Sequence, residues 1–170
     1  MKKRYLFPAC FLSLLVFVAG FFLFSSPALK NATASLSDPI FSVWGLNLPT
    51  PKKQTVLIRS PYPYGGDCIH ACYDIKTVET EFLRKFDFTL IDKENCNQVT
   101  RLVTIVRDSA DAEQRAEFND SFPMNKYVDM HRNTWFCEIT DPDRPDSFLL
   151  ILLADKGETG NVFFFHYLAP

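Results

Sequence analysis

The chain lacks the short motifs of the common catalytic sites. It contains no H-E-x-x-H, no G-x-S-x-G and no glycine-rich phosphate loop, so the sequence gives no support for a metalloprotease or a nucleophile triad. Histidine is scarce as well, since His70, His131 and His166 are the only three. A structural or surface role is expected for each, although their convergence with carboxylates in a pocket would indicate a hydrolase. The prediction is a protein without catalytic activity or cofactor.

The acidic turn at Asp141, Asp143 and Asp146 also lacks what a calcium site needs. Carboxylates at alternate positions suit an oxygen-ligated ion, but the glycine and the distal glutamate of a calcium loop are missing. Asp-Pro is a common turn starter. A plain turn without a metal is therefore expected.

Residues 5–24 carry no charge and follow Lys2, Lys3 and Arg4. At about 1.5 Å per helical residue this segment would reach roughly 30 Å, the thickness of a hydrocarbon core. The pattern predicts a signal peptide or a single transmembrane anchor in residues 1–24, with the N-terminus in the cytoplasm and the remainder exported. Cleavage is left open, because small residues follow at 26–28 and 32–34. A periplasmic or extracellular location is expected, with possible attachment to the inner membrane.

The exported part has no excess of positive charge. Residues 35–170 contain 14 Lys and Arg against 20 Asp and Glu, a net charge of −6. Phosphate binding needs clustered basic side chains. Nucleic acid is therefore not expected as a partner.

Four cysteines lie beyond the apolar segment, namely Cys68, Cys72, Cys96 and Cys137. An even number in an exported chain predicts two disulfides, for which three connectivities exist. A helix over residues 75–86 followed by a strand over 88–92 would return the chain close to its starting point. We therefore predict the pair Cys72–Cys96 and, by elimination, the pair Cys68–Cys137.

The segment Cys68-Ile69-His70-Ala71-Cys72 is the densest cluster of soft ligands in the sequence. A strand, a C-x-x-x-C loop and a helix follow one another in residues 55–92, and this order resembles that of membrane-tethered thioredoxin-like copper chaperones. The resemblance implies thiol-redox chemistry, or copper or zinc handling, by Cys68, His70 and Cys72. The chain departs from that family after residue 92, because no closing helix follows. The competing interpretation is that these cysteines are structural.

Hydrophobic patterns predict a single α+β domain in the order β-α-β-β-α-β-β-β, with an antiparallel sheet of five or six strands. The expected helices span residues 75–86, capped by Asp74, and 110–118, capped by Asp108 or Ser109. The expected strands span residues 55–59, 88–92, 99–107, 134–140, 148–155 and 162–169. Both faces of the last two should be covered, since their apolar runs are continuous.

Residues 25–53 are predicted to be a tether that leads to the domain at 54–170. The tether contains an apolar patch around Trp44, which should dock on the domain or rest at the membrane interface, and Trp44 is also a candidate for partner binding. Tyr62 and Tyr64 lie in a loop rich in proline and glycine at residues 60–67, which is suited to recognising a protein partner. The leading hypothesis is a cell-envelope accessory protein that acts through protein–protein contacts, and the alternative is the thiol-redox or metal-handling protein.

Overall fold

The computed structural model describes residues 39–61, 64–128, 133–156 and 159–170, which belong to one compact unit. The predicted membrane segment at 1–24, Tyr62 and His131 lie outside these residues. Within the described ranges, no helix has the length and hydrophobicity needed to cross a membrane.

The structure is an α+β fold built on one antiparallel sheet of six strands. The strand order is β1-β2-β6-β5-β4-β3, so β1 and β3 are the edges. The strands are β1 (Lys53–Ile58), β2 (Gly65–Asp74), β3 (Thr89–Leu90), β4 (Trp135–Asp141), β5 (Arg144–Lys156) and β6 (Thr159–Leu168). The helices are α1 (Pro39–Val43), α2 (Ile75–Thr77, continued by a π-helical turn at Val78–Phe82), α3 (Cys96–Asp108), α4 (Ala112–Ser121) and α5 (Met124–Tyr127).

Both faces of the sheet are covered, as the continuous apolar runs of β5 and β6 predict. On one face, Leu150 and Leu152 pack in a core with the buried side of α3 and with Phe118 of α4. On the other face, Leu149 and Ile151 pack in a second core. We call these the α3 face and the α1 face. Alternation along β5 therefore fills two cores at once, which explains why the strand has no polar side.

The apolar patch of the predicted tether is part of the α1 face. Phe41 is 1% exposed, and its ring lies 5.0 Å from that of Phe164 in an edge-to-face arrangement. Trp44, Leu46 and Leu48 pack against the same core. Burying an aromatic ring of this size stabilises the fold by about 1.5–3 kcal/mol, so this segment contributes to the stability of the domain.

The predicted strand at residues 99–107 is wrong, because this segment belongs to helix α3. Val99, Leu102, Val103 and Val106 are its buried residues, and their spacing of three and four places them on one helical face. The β-branched residues favour a strand locally, but the period of the buried positions decides the structure. The next helix, α4, begins at Ala112 and is capped by Asp111 rather than by Asp108 or Ser109.

The predicted loop at residues 60–67 ends earlier than expected, since β2 begins at Gly65 and runs to Asp74. Gly66 is a strand residue over which α3 packs closely: a Cβ atom at this position would lie 2.9 Å from Cα of Val106. The glycine is therefore needed for helix packing and does not mark a turn. The observed order after α1 is β-β-α-β-α-α-α-β-β-β, and the C-x-x-x-C segment lies within a strand.

Candidate functional site

Asp67 of β2 contacts the backbone of the loop between β1 and β2. One carboxylate oxygen, Oδ1, accepts a hydrogen bond of 3.0 Å from the backbone N–H of Ser60 and lies 3.7 Å from Nε of Arg59. Asp67 itself is only 8% exposed. A buried carboxylate with charged and backbone donors is satisfied and therefore rigid, so it fixes the backbone at Ser60.

The second oxygen of Asp67 contacts His166 on the neighbouring strand β6. Oδ2 lies 3.4 Å from Nδ1 of a histidine that is 4% exposed. The indole ring of Trp44 covers this histidine edge-on, with 5.8 Å between the ring centroids. Among the described residues, Nε2 of His166 and Nε1 of Trp44 are buried and have no hydrogen-bond partner.

The Asp67–His166 pair has the orientation of an acid–base pair, in which the carboxylate faces Nδ1 and leaves Nε2 available. However, no hydroxyl or thiol group of the described residues forms a hydrogen bond with Nε2. His70 lies on the α3 face, stacked on Phe163, whereas His166 lies on the α1 face under Trp44. His70 and His166 therefore do not contribute to one site. The Asp67–His166 pair positions the backbone at Ser60.

Gln114 of helix α4 contacts the backbone at the start of the same loop. Its Oε1 accepts a hydrogen bond of 3.0 Å from the N–H of Arg59, and its Nε2 donates one of 3.3 Å to the carbonyl of the same residue. Gln114 is fixed in turn by the helix cap, because its backbone N–H donates to Asp111 Oδ1 at 2.9 Å. A side-chain amide that pairs with both backbone groups of one residue imitates a neighbouring strand.

A pocket of about 340 Å³ opens between this loop and the start of α4, and we call it the loop pocket. Tyr64 stands at its edge with 52% of its surface exposed, and its carbonyl accepts a hydrogen bond of 2.7 Å from Ser60 Oγ. Gly65 closes the turn with a φ of +111°, which disfavours any other residue. The pocket is lined by Arg59, Ser60, Pro61, Tyr64, Gly65, Ser109, Ala110, Asp111 and Gln114.

The cysteines of the C-x-x-x-C segment are too far apart to form a redox pair. Four residues of extended strand separate Cys68 from Cys72 by about 13 Å, whereas a disulfide needs Cα atoms roughly 4.4–6.8 Å apart. Cys68 is fully buried in the core of the α3 face. Burial, followed by the negative charge of Asp67, raises the pKa of its thiol well above the usual value, so Cys68 is an unreactive core residue.

The structure contains neither predicted disulfide, since Cys68, Cys72, Cys96 and Cys137 are all free thiols. Strands β6 and β5 lie between β2 and β4, which separates Cys68 from Cys137 by about 14 Å across the sheet. Cys96 begins α3, and in the same turn Nε2 of Gln98 donates a hydrogen bond of 2.6 Å to Oε2 of Glu138 on β4. Cys72 is on β2 and is equally remote. The predicted pairing assumed a returning strand at 88–92 and did not anticipate this strand order.

Cys72 instead lies in a small polar cluster with His70 and Asn161. Nε2 of His70 lies 3.0 Å from Oδ1 of Asn161 and 3.7 Å from Sγ of Cys72. The thiol is 3.5 Å from the same amide oxygen. The ring of His70 stacks on Phe163, with 4.4 Å between the centroids and an angle of 11°. We call these three side chains the Cys72 cluster.

Burial sets the protonation of the Cys72 cluster. It lowers the pKa of His70, opposed by the hydrogen bond to Asn161 and reinforced by the nearby charge of Lys53. It raises the pKa of Cys72, and Lys53 opposes that shift. His70 presents the same nitrogen, Nε2, to the thiol of Cys72 and to the amide of Asn161. The three side chains therefore do not form the hydrogen-bond chain of a Cys-His-Asn triad, in which the two imidazole nitrogens contact different partners.

The remaining candidates have ordinary roles. Asp141 accepts a hydrogen bond from the N–H of Asp143 and pairs with Arg144 at 2.7 Å, which lowers the pKa of its carboxyl group. The predicted turn is present at Pro142 and Asp143, whereas Asp141 is the last residue of β4 and Asp146 lies within β5. Within the part of the chain that the structure describes, no three His, Cys, Asp or Glu side chains form a group able to hold a metal.

Comparison with protein-family models, with curated proteins and with solved structures finds no match. The function of the chain is therefore inferred from the chemistry of the loop pocket and the Cys72 cluster. Sequence reasoning identified Tyr64, His70 and Cys72, but it missed Asp67, Gln114 and Asn161.

Proposed function

We propose that the chain is an exported cell-envelope binding or accessory protein that acts through protein–protein contacts and has no catalytic activity. The loop pocket is the contact site, and Tyr64 is the side chain that a partner covers. The observation that carries this proposal is the exposure of Tyr64, at 52%, beside a pocket in which the backbone of Arg59 and Ser60 is held by hydrogen bonds.

Pre-organisation is the physical reason for choosing this loop. Asp67 holds the N–H of Ser60 and Gln114 holds both backbone groups of Arg59. Backbone at Arg59 and Ser60 that is already fixed by these hydrogen bonds loses little conformational entropy on binding, so more of the contact energy is retained as affinity. Tyrosine suits such a position, because its ring supplies a large contact area and its hydroxyl group a hydrogen bond.

The lining of the loop pocket favours a peptide segment of another protein as the occupant. Pro61, Tyr64 and Ala110 supply apolar surface, while Arg59 and Asp111 supply charged groups. This mixture resembles the apolar centre and polar rim of protein interfaces. The net charge of −6 in residues 35–170 disfavours nucleic acid as the occupant.

Export and membrane attachment are part of the proposal and depend on residues 1–24. The basic N-terminus followed by an uncharged apolar segment supports a cytoplasmic N-terminus, with the domain in the periplasm or outside the cell. The same segment would keep the protein at the inner membrane if it is not cleaved.

The thiol-redox alternative loses its support, because Cys68 is buried and lies about 13 Å along the strand from Cys72. The metal-handling alternative keeps His70 and Cys72 but needs a different third ligand.

Site-specific photo-crosslinking tests the partner-binding proposal. The photoreactive amino acid p-benzoylphenylalanine replaces Tyr64 in the full chain, and cells that naturally produce the protein are illuminated. We expect a discrete covalent adduct with one envelope protein. Adding Gln114→Ala, which frees the backbone of Arg59, should reduce the yield of that adduct.

The matched control is the same photoreactive residue at Leu90, which is 40% exposed on β3 at the opposite edge of the sheet. This position should give no adduct or a different one. The proposal fails if position 64 gives no adduct, or if positions 64 and 90 capture the same proteins in equal yield.

A further inference from the structure

The Cys72 cluster brings three possible metal-ligand atoms close together. Nε2 of His70 lies 3.7 Å from Sγ of Cys72 and 3.0 Å from Oδ1 of Asn161. Sγ of Cys72 lies 3.5 Å from the same Oδ1. Each of these atoms is a metal-ligand type in proteins, and a thiolate with an imidazole selects soft or borderline cations.

The separations match one face of a tetrahedral coordination sphere. With ordinary zinc bond lengths, a tetrahedral site places sulfur about 3.6 Å from nitrogen, sulfur about 3.6 Å from oxygen and nitrogen about 3.4 Å from oxygen. The two separations that involve sulfur, 3.7 and 3.5 Å, are close to these values. The nitrogen–oxygen distance of 3.0 Å is shorter, as expected where a hydrogen bond joins the atoms before a cation separates them.

The ligands are held by regular strands. His70 and Cys72 are two residues apart on β2, so they project from the same face of the sheet. Asn161 on β6 is directly opposite Cys72 in the strand register. The stacking of His70 on Phe163 fixes the orientation of the imidazole ring. Ligands on strands are positioned more accurately than ligands on loops, which lowers the cost of assembling a site.

We propose that His70, Cys72 and Asn161 bind one zinc(II) ion through Nε2, Sγ and Oδ1. Binding replaces the thiol proton of Cys72, which is released to solvent, and the imidazole carries its proton on Nδ1. Neither step changes an oxidation state. Cys68 is not a ligand, because it lies in the core of the α3 face. The proposal is independent of the partner-binding function.

Three protein ligands leave a fourth coordination position open. Structural zinc sites are closed by four protein ligands, whereas an open position is typical of sites that exchange a ligand. The Cys72 cluster is half-buried, so water or a donor group from another molecule can reach this position. The site is therefore suited to reversible loading of the cation.

The test uses the detergent-solubilised full chain with Cys10→Ser, which removes the cysteine outside the described residues. Zinc(II) is titrated against a chromophoric chelator, copper(I) against a bicinchoninate competitor, and cobalt(II) serves as a spectroscopic probe. We expect one cation per chain and a thiolate-to-cobalt charge-transfer band. Zinc binding with this stoichiometry supports the proposal, and binding of copper(I) alone overturns it, because the amide oxygen of Asn161 does not suit copper(I).

Substitutions distinguish this site from adventitious binding. Cys72→Ser and His70→Gln should each weaken binding more than about 100-fold, the upper range seen when the surroundings of a metal site are damaged. Cys96→Ser removes a half-buried thiol elsewhere and should change nothing. Asn161→Asp replaces the neutral oxygen ligand with a carboxylate and should tighten binding, because carboxylate oxygen is an ordinary zinc ligand. That gain would not follow from a structural role.

Circular dichroism and thermal unfolding of each variant identify any loss of binding that is caused by misfolding. The proposal is overturned if the folded full chain does not bind zinc(II) in stoichiometric amount. It is also overturned if Cys72→Ser binds as tightly as the parent chain, or if Cys96→Ser abolishes binding.

Discussion

Cys72 and Asn161 lie directly opposite each other on β2 and β6, although 89 residues separate them in the chain. The β2–β6 pairing places the polar end of one strand against that of another and so creates the Cys72 cluster. The same pairing places Asp67 opposite His166 at the other end of β2. One strand pair therefore organises both candidate sites, the Cys72 cluster on the α3 face and the support of the loop pocket.

Thiol accessibility should differ sharply among the cysteines. In the folded chain we expect iodoacetamide to label Cys72 and Cys96, which are half-buried, and to leave Cys68 unlabelled, because it is fully buried and its pKa is raised. In denaturant all of them should react. Mass spectrometry without reductant measures both states. A disulfide-linked peptide containing Cys68 and Cys137 would contradict the strand order.

The α1 segment should contribute to the stability of the domain. Phe41→Ala removes a ring that is 1% exposed, and the expected loss in the free energy of unfolding is about 3–5 kcal/mol. Val43→Ala is the control, because Val43 is 49% exposed and should change stability by less than about 0.5 kcal/mol. Urea denaturation of both variants measures the difference. Equal stabilities would mean that this segment does not pack on the sheet in solution.

Asp67 should couple the fold to the loop pocket. Asp67→Ala leaves the N–H of Ser60 and Nδ1 of His166 without their acceptor, and each unsatisfied buried donor costs about 1–3 kcal/mol. We expect a destabilisation of about 2–5 kcal/mol and a weaker crosslink from position 64. Asp143→Ala, an exposed turn residue, is the control. Chemical denaturation combined with the crosslinking assay tests both effects, and an unchanged crosslink in a folded Asp67→Ala variant would separate the loop from its support.

Export should depend on the uncharged segment at residues 5–24. We expect that alkaline phosphatase fused after residue 38 becomes active in a bacterial host, because the enzyme needs the periplasm to fold. Replacing Leu14 and Leu15 with arginine should abolish activity, since each charge at the centre of an inserted helix costs about 2.5–3.5 kcal/mol. Arginine at Leu36, beyond the apolar segment, should have little effect. Activity that survives the double substitution would contradict export by this segment.

The sequence predicted the hairpins of the C-terminal half well, because apolar runs bounded by turn residues leave few alternatives. Strands β4, β5 and β6 all lie where these patterns place them. The sequence patterns gave wrong predictions where the preference of single residues disagreed with the spacing of the buried positions. In α3 the β-branched residues suggested a strand, although the positions Val99, Leu102, Val103 and Val106 have helical spacing. In β2 the pair Gly65-Gly66 suggested a turn, whereas Gly66 accommodates α3.

The candidate sites divide in a similar way. Tyr64, His70 and Cys72 could be found from local composition, because loop aromatics and soft ligands stand out in a sequence. Gln114 had a local signal that was missed: Asp111 followed three residues later by glutamine is a capping pattern. Asn161 had none, because only the register of strands far apart in the chain brings it to Cys72.

The amide of Gln114 has one further effect, on association between molecules. Strand β1 is an edge of the sheet, and exposed edges invite other chains to add strands. By occupying both the N–H and the carbonyl of Arg59, Gln114 blocks the end of this edge. Gln114→Ala would remove both of these hydrogen bonds and should therefore promote edge-to-edge aggregation at high protein concentration.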